Sequence, residues 1–429
     1  MEEAYLTNKH ALLSGGGSML QDNYYSVLNS TSSLVETTYN YETLISLPSV
    51  QFGSSTSFQV QNMNFIGRMM LHLRLPALAA NQFLARGWGY ACINNVSWTL
   101  GSSSTSQITL QGDSLLQFAM SQIDNPEKRD EVMRLAGNEY IAVPVAGPGE
   151  DVPKIDAYVL LNAPFSTWCN KLPFDSSLLS QPVVINIQFN QSNSIYGGNG
   201  LPYQSQFEIA EVLIHSGELS NKALSLRSKM IQDPSLISPY PFTHTQAFLS
   251  PTFTGVRESE NMRCEVQLTS FTNSDITGII VWCIRNSRKS PGGNSTPNPF
   301  DVSELSNVQL IYNGKIIMNL PAKSYKFTNM IGSQGPSYIP SSVVTPGAVG
   351  PITSFPKNMY PIYFDFSRLR SACILDNMQH MFNTWRLSNQ SLFMRFNTPT
   401  SDNDYRIYAT YLYNGCIESQ NGISSVYID

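Results

Sequence analysis

The chain has 429 residues, of which 42% are hydrophobic and 11% aromatic, while only 13% are charged, against roughly a quarter in an average globular protein. With 26 basic and 31 acidic residues the net charge is −5, and no Lys/Arg run occurs, which argues against an electrostatic nucleic-acid surface and predicts no direct sequence-specific nucleic-acid binding. The length predicts two or three domains, and the scarcity of charge points to strands, polar loops and sides buried against neighbouring copies.

Residues 1–45 carry the spacer Ser14-Gly15-Gly16-Gly17-Ser18 and no helical period, which predicts a flexible N-terminal arm. Met1-Glu2-Glu3 opens without an apolar h-region and no apolar run reaches the ~20 residues of a membrane helix. Synthesis in the cytosol with neither signal peptide nor transmembrane helix is therefore expected. The N-x-S/T matches at Asn29, Asn95, Asn190, Asn294 and Asn389 are then chance products of a Ser/Asn-rich chain.

Over 46–218 the pattern is strand, turn, strand. Ser57-Phe58-Gln59-Val60-Gln61 alternates, and Met69, Leu71, Leu73 and Leu75 share a face. Residues 91–100, Gln107-Ile108-Thr109-Leu110, and the run holding Val183, Ile185, Ile187 and Phe189 continue it. A helix is predicted over 114–135, ending near Gly137, with the charged stretch Glu127 to Glu131 as its solvated face. A second is predicted over 219–230 from Leu219, Ala223, Leu226 and Met230. Pro234, Pro239 and Pro241 then break the pattern, so 219–245 reads as a connector.

The second half, 246–429, repeats this grammar. Cys264, Val266 and Leu268 alternate with polar residues, and Ile276 to Ile284 is almost wholly apolar. Val308 to Tyr312, Asn313-Gly314, and Lys315 to Leu320 form a hairpin signal, because Asn-Gly accepts the positive φ of a type I′ turn. Residues 332–357 predict a long surface loop, 367–385 a helix, and 391–396 and 405–413 strands.

The halves also echo each other. Asn95-Val96-Ser97-Trp98-Thr99-Leu100 followed by Ile108-Thr109-Leu110 matches Asn307 to Tyr312 followed by Ile316-Ile317-Met318. Gln181 to Phe189 with Phe207 to Ile214 matches Gln390 to Phe396 with Tyr405 to Leu412, and Phe174-Asp175-Ser176 echoes Phe364-Asp365-Phe366. The spacing drifts from pair to pair, as expected of two structurally duplicated β domains with different loops.

Chemical motifs are sparse. Cys92, Cys169, Cys264, Cys283, Cys373 and Cys416 form no C-x-x-C pair and read as buried free thiols. His10, His72, His215, His244 and His380 are scattered, with no H-x-x-x-H spacing for a metal. Gly87-Trp88-Gly89 and Gly292-Gly293 lack the context of a phosphate loop, and no G-x-S-x-G occurs. The acids of Gly147-Pro148-Gly149-Glu150-Asp151 read as a polar turn rather than a cation site or glycosidase pair. Trp88, Trp98, Trp168, Trp282 and Trp385 read as core or interface packing rather than a sugar platform. The expectation is no catalytic, cofactor-binding or metal residues, and no enzyme activity.

The chain resembles the double jelly-roll major capsid proteins of the tectivirus, adenovirus hexon, virophage and large eukaryotic DNA virus lineage. The resemblance lies in Phe271 to Trp282, which is similar to that family's early second-roll strand running from Asn to Val-Trp. Leu172-Pro173-Phe174 ahead of Val183 is similar to its Leu-Pro segment before a late strand. It implies an all-β fold with a few short helices: two tandem eight-stranded antiparallel jelly rolls. It further implies homotrimeric, pseudo-hexagonal capsomers tiling an icosahedral shell, with trimer–trimer lattice contacts, penton and minor capsid proteins as partners, and in several relatives an internal membrane beneath. The location implied is the virion. A receptor- or carbohydrate-binding spike or lectin-like β-sandwich is the alternative from another class.

Overall fold

The computed structural model describes residues 37–60, 65–76, 82–85, 87–100, 107–121, 131–132, 134–138, 155–161, 174–198, 205–219, 221, 225, 228, 238–249, 256–258, 261–267, 276–285, 307–312, 314–321, 362–365, 392–398, 405–420 and 423–428. The first half supplies β1 (Thr37–Ser46), β2 (Ser55–Val60), β3 (Phe65–Leu75), β4 (Gln82–Leu84), β5 (Ile93–Thr99), β6 (Gln107–Gln111), β7 (Ile155–Leu161), β8 (Val183–Phe189), β9 (Tyr196–Gly198) and β10 (Ile209–Leu219). Two helices interrupt them, α1 (Trp88–Ala91) and α2 (Gly112–Ser121). The second half supplies β11 (Ser238–Leu249), β12 (Val256–Glu258), β13 (Asn261–Gln267), β14 (Ile276–Arg285), β15 (Asn307–Tyr312), β16 (Lys315–Pro321), β17 (Ile362–Asp365), β18 (Leu392–Thr398), β19 (Tyr405–Gln420) and β20 (Ile423–Ile428).

Each sheet draws its strands from one half only. The first half forms β1-β10-β3-β7 and β2-β8-β5-β6, with β4 and β9 as a small ribbon. The second forms β11-β19-β14-β17, with β20 added beside β19, and β12-β13-β18-β15-β16. With β4, β9, β12 and β20 set aside, eight strands remain per half, and their order along the chain gives the same two sheets each time: 1-8-3-6 and 2-7-4-5. First strand beside last, with all pairing antiparallel, is the eight-stranded jelly roll. The chain is a double jelly roll.

Alternation explains why these segments became half-buried strands. Met69, Leu71, Leu73 and Leu75 of β3 and Val183, Ile185, Ile187 and Phe189 of β8 all lie in the core, together with Val96 and Trp98 of β5. Intervening residues point out, so β8 reads buried and half-buried in strict turn. The Asn-Gly hairpin is present: Tyr312 pairs with Lys315 and Gly314 takes φ +74°. The internal repeat is equally plain, since β5–β6 and β15–β16 are the fourth and fifth strands of their rolls. Phe174 bridges to Ile66 of β3 and Phe364 pairs with Ile279 of β14, the third strand of each roll.

Several boundaries differ from the sequence reading. The span expected as an arm to residue 45 already contains β1 from Thr37, an edge strand whose single neighbour β10 lets it stay polar. The expected connector 219–245 contains the end of β10 and most of β11; Pro239 and Pro241 fit because β11 is also an edge strand and sacrifices no interior ladder. Strands β4, β7, β9, β12, β17 and β20 have no counterpart among the predicted strands. Of the predicted helix at 114–135, residues to Ser121 belong to α2 and the described residues 131, 132 and 134–138 are helical, with Gly137 at φ +81°; residues 122–130 lie outside the described residues. The described residues 221, 225 and 228 are helical, as expected for 219–230, although Leu219 belongs to β10. The loop 332–357 and the predicted helix 367–385 lie outside the described residues.

Candidate assembly surface

The described residues hold no group of three or more His, Cys, Asp and Glu side chains arranged for a metal ion, and no helix long and apolar enough to cross a membrane. Trp88 and Trp98 are fully buried core residues. Cys92 is buried too: its thiol donates to the Gly89 carbonyl at 3.0 Å, and burial pushes its pKa up, away from any nucleophilic role. His215 is exposed on β10 and His244 lies in β11, whereas His10, His380, Trp168, Trp385 and residues 147–151 fall outside the described residues.

His72 sits in a polar cluster. It projects from β3 on the face opposite Met69, Leu71 and Leu73, yet it is buried. Its Nδ1 lies 2.6 Å from Glu211 Oε1 on β10, and its Nε2 lies 2.8 Å from Asp156 Oδ1 on β7. Arg74 donates to the same Asp156 from Nε at 2.7 Å and from Nη2 at 3.3 Å, while Tyr158 stacks on the imidazole at 4.4 Å. Burial opposes the charged form of Asp156, but the hydrogen bonds from Arg74 and His72 outweigh it and hold this carboxyl below its ordinary value. Two carboxylates thus face an arginine and an imidazole across three strands. The cluster is a hydrogen-bonded staple across the three strands. Sequence reasoning placed His72 among apolar residues and missed this network, because Asp156 and Glu211 arrive from strands far along the chain.

Beside the staple runs an apolar row on the same face. The register places Leu44 of β1 opposite Leu213 of β10, Leu213 opposite Met70 of β3, and Met70 opposite Leu160 of β7. Leu44 is 53% exposed, and Leu213 and Met70 are half-buried. The corresponding sheet of the second roll is different. Residues 407–413 of β19 are all buried, so both faces of that strand are covered. Helix α2 packs against β19, β6 lies beside β11, and the Phe174 ring meets Tyr240 edge-on at 5.3 Å. The buried cluster of the first roll continues through Tyr240, Ile280, Tyr408 and Leu412.

Two glycines are closely packed around the helices of the first roll. A Cβ on Gly112, which starts α2, would collide with the Ile93 carbonyl, and one on Gly137 would enter the Trp88 ring. The site therefore consists of surfaces: residues 407–413 of β19 are covered on both sides, whereas on the equivalent sheet of the first roll Leu44 and His215 are exposed on the side where His72 and Leu160 are buried.

No protein-family model matches the chain, and no curated sequence does either. Solved structures do. A chain of the PBCV-1 virus capsid superposes with a TM-score of 0.59 at 12% identity, covering 91% of this chain and 97% of that one. A chain from the Sputnik virophage gives 0.58 at 10% identity, covering 90% and 88%, and the Faustovirus major capsid protein gives 0.55 at 8%, covering 88% and 90%. The likeness is one of fold, and it extends over nearly the whole chain. Strand order and superposition agree that this is the double jelly roll found in viral major capsid proteins.

Proposed function

We propose that this chain is a structural major capsid protein whose homotrimers form pseudo-hexagonal capsomers that tile an icosahedral virus shell. The observation that carries the reading is the pair of rolls with identical strand order in one chain. Three such chains present six near-equivalent rolls in a ring, the shape that packs a hexagonal lattice. The superposition on capsid chains along almost the full length supports it. The work of such a protein is surface complementarity, with no turnover. Its partners are further copies of itself, penton and minor capsid proteins, and in a membrane-containing virion the bilayer beneath the shell. Its place is the virion. The rolls extend from β1 to β10 and from β11 to β20 and act as the two lattice-building domains.

Native mass spectrometry of the purified full chain, with negative-stain images of the same sample, tests this. The expected result is a mass of three chains and a hexagonal outline. A monodisperse monomer that binds glycans overturns it in favour of a spike or lectin.

A further inference from the structure

We infer that Glu211, His72 and Asp156 form a proton-operated clasp: one proton more than a neutral imidazole and two carboxylates carry holds β10, β3 and β7 together, and its loss releases β10. The clasp belongs to the single chain and is independent of the capsomer reading.

His72 Nδ1 lies 2.6 Å from Glu211 Oε1, and its Nε2 lies 2.8 Å from Asp156 Oδ1. Each hydrogen bond between a ring nitrogen and a carboxyl oxygen needs a proton between the two atoms, so the pair of contacts needs two. A neutral imidazole supplies one, on either nitrogen, and ionised carboxylates supply none. The second proton comes from solvent, and the count is the same whether it resides on the ring or on a carboxyl oxygen. Without it a nitrogen lone pair faces a carboxylate oxygen at a site where His72 is only 5% exposed.

The two arms of the clasp differ in strength. Arg74 also donates to Asp156, from Nε and Nη2, so the arm to β7 keeps two hydrogen bonds when the imidazole withdraws. Among the described residues Glu211 has His72 as its one side-chain partner, so the arm to β10 is the one that opens. Strand β1 has β10 as its single neighbour in the sheet, and opening this arm therefore loosens the edge of the first roll. The other ionisable groups nearby do not replace the missing proton. Tyr158 of β7 stacks on the imidazole, and Glu208, just ahead of β10, attracts Arg74. Arg68 of β3 and His215 of β10 lie further along their strands, with Glu42 of β1 opposite His215, and Ser46 of β1 stands opposite Glu211.

Folding then binds a proton, so stability falls as pH rises over the range where the folded cluster keeps it and the unfolded chain has lost it. One linked proton means an unfolding equilibrium constant that grows about tenfold per pH unit.

Urea denaturation of the full chain, followed by circular dichroism from neutral to alkaline pH at one protein concentration, tests the clasp. In Glu211→Gln the introduced amide donates its own N–H to Nδ1, so both hydrogen bonds survive around a neutral ring with no added proton. This variant is expected to stay folded and to lose one factor of about ten per pH unit from the pH dependence of its unfolding constant. His72→Gln is the second variant and is expected to lose the same factor, whatever its stability. Glu208→Gln removes an acid beside Arg74 but outside the clasp, and is expected to keep the dependence of the unsubstituted chain. The inference is overturned by an unsubstituted chain whose unfolding constant is flat over this range. It is equally overturned by a dependence that persists in both Glu211→Gln and His72→Gln, or by one that Glu208→Gln abolishes as fully as they do.

Discussion

The sheets β1-β10-β3-β7 and β11-β19-β14-β17 hold the same place in their rolls, yet their central strands are written differently. In β10 the residues Ala210, Val212, Ile214 and Ser216 are buried, while Glu211 and Leu213 between them are half-buried and His215 is exposed. In β19 the stretch Ile407-Tyr408-Ala409-Thr410-Tyr411-Leu412-Tyr413 carries no charge and is buried throughout. An alternating strand has one covered face and a continuous apolar run has two. One fold position thus records, in its residue types, how many of its faces find cover within the chain.

The sharpest way to break this comparison is to put a charge on each strand. Leu412→Asp is expected to cost more than about 4 kcal/mol and to leave little folded protein, because the carboxylate has no water on either side of the sheet. Gly112→Ala comes next: the new methyl group drives α2 off the Ile93 carbonyl and away from β19, at a cost of about 1–3 kcal/mol by urea denaturation. Tyr411→Phe should go the other way. Its hydroxyl is buried and has no hydrogen-bond partner among the described residues, so removing it is expected to raise stability by up to about 1 kcal/mol.

The first roll's sheet is expected to answer more weakly. Leu213→Asp on β10 should change the stability of the monomer by less than about 1 kcal/mol, read from the same denaturation curves. Asp156 gives a graded test by pH. Its folded-state pKa lies below the unfolded value of about 3.9, so it stabilises the fold above that pH and loses the contribution as pH falls through the folded value. Arg74→Ala removes the larger of the two hydrogen-bonded contributions that lower it. The Asp156 carboxyl titration, followed by carbon-13 NMR, is expected to move upward, and the acid limb of the stability curve to shrink.

How much was legible beforehand depended on the kind of strand. Central strands such as β3, β8 and β14 announce themselves, because burial on one or both faces dictates the residue at every position. Edge strands do not. β1 looks like part of an arm and β11 looks like a proline-broken linker, since an edge strand answers to a single neighbour and tolerates Pro239 and Pro241. The staple was hidden for another reason: His72, Asp156 and Glu211 share no local pattern, and only register across β3, β7 and β10 brings them within hydrogen-bond distance.

The sequence by itself determined the all-β class, the duplication and the strand cores, because period-two burial and turn chemistry act over a few neighbouring residues. Tertiary structure alone decided which equivalent sheet was covered, which charges were paired and which apolar residues were left facing outward. Those outcomes depend on which strands become neighbours ~5 Å apart within a sheet and on what stands ~10 Å away across a sheet interface, distances that separation along the chain does not encode.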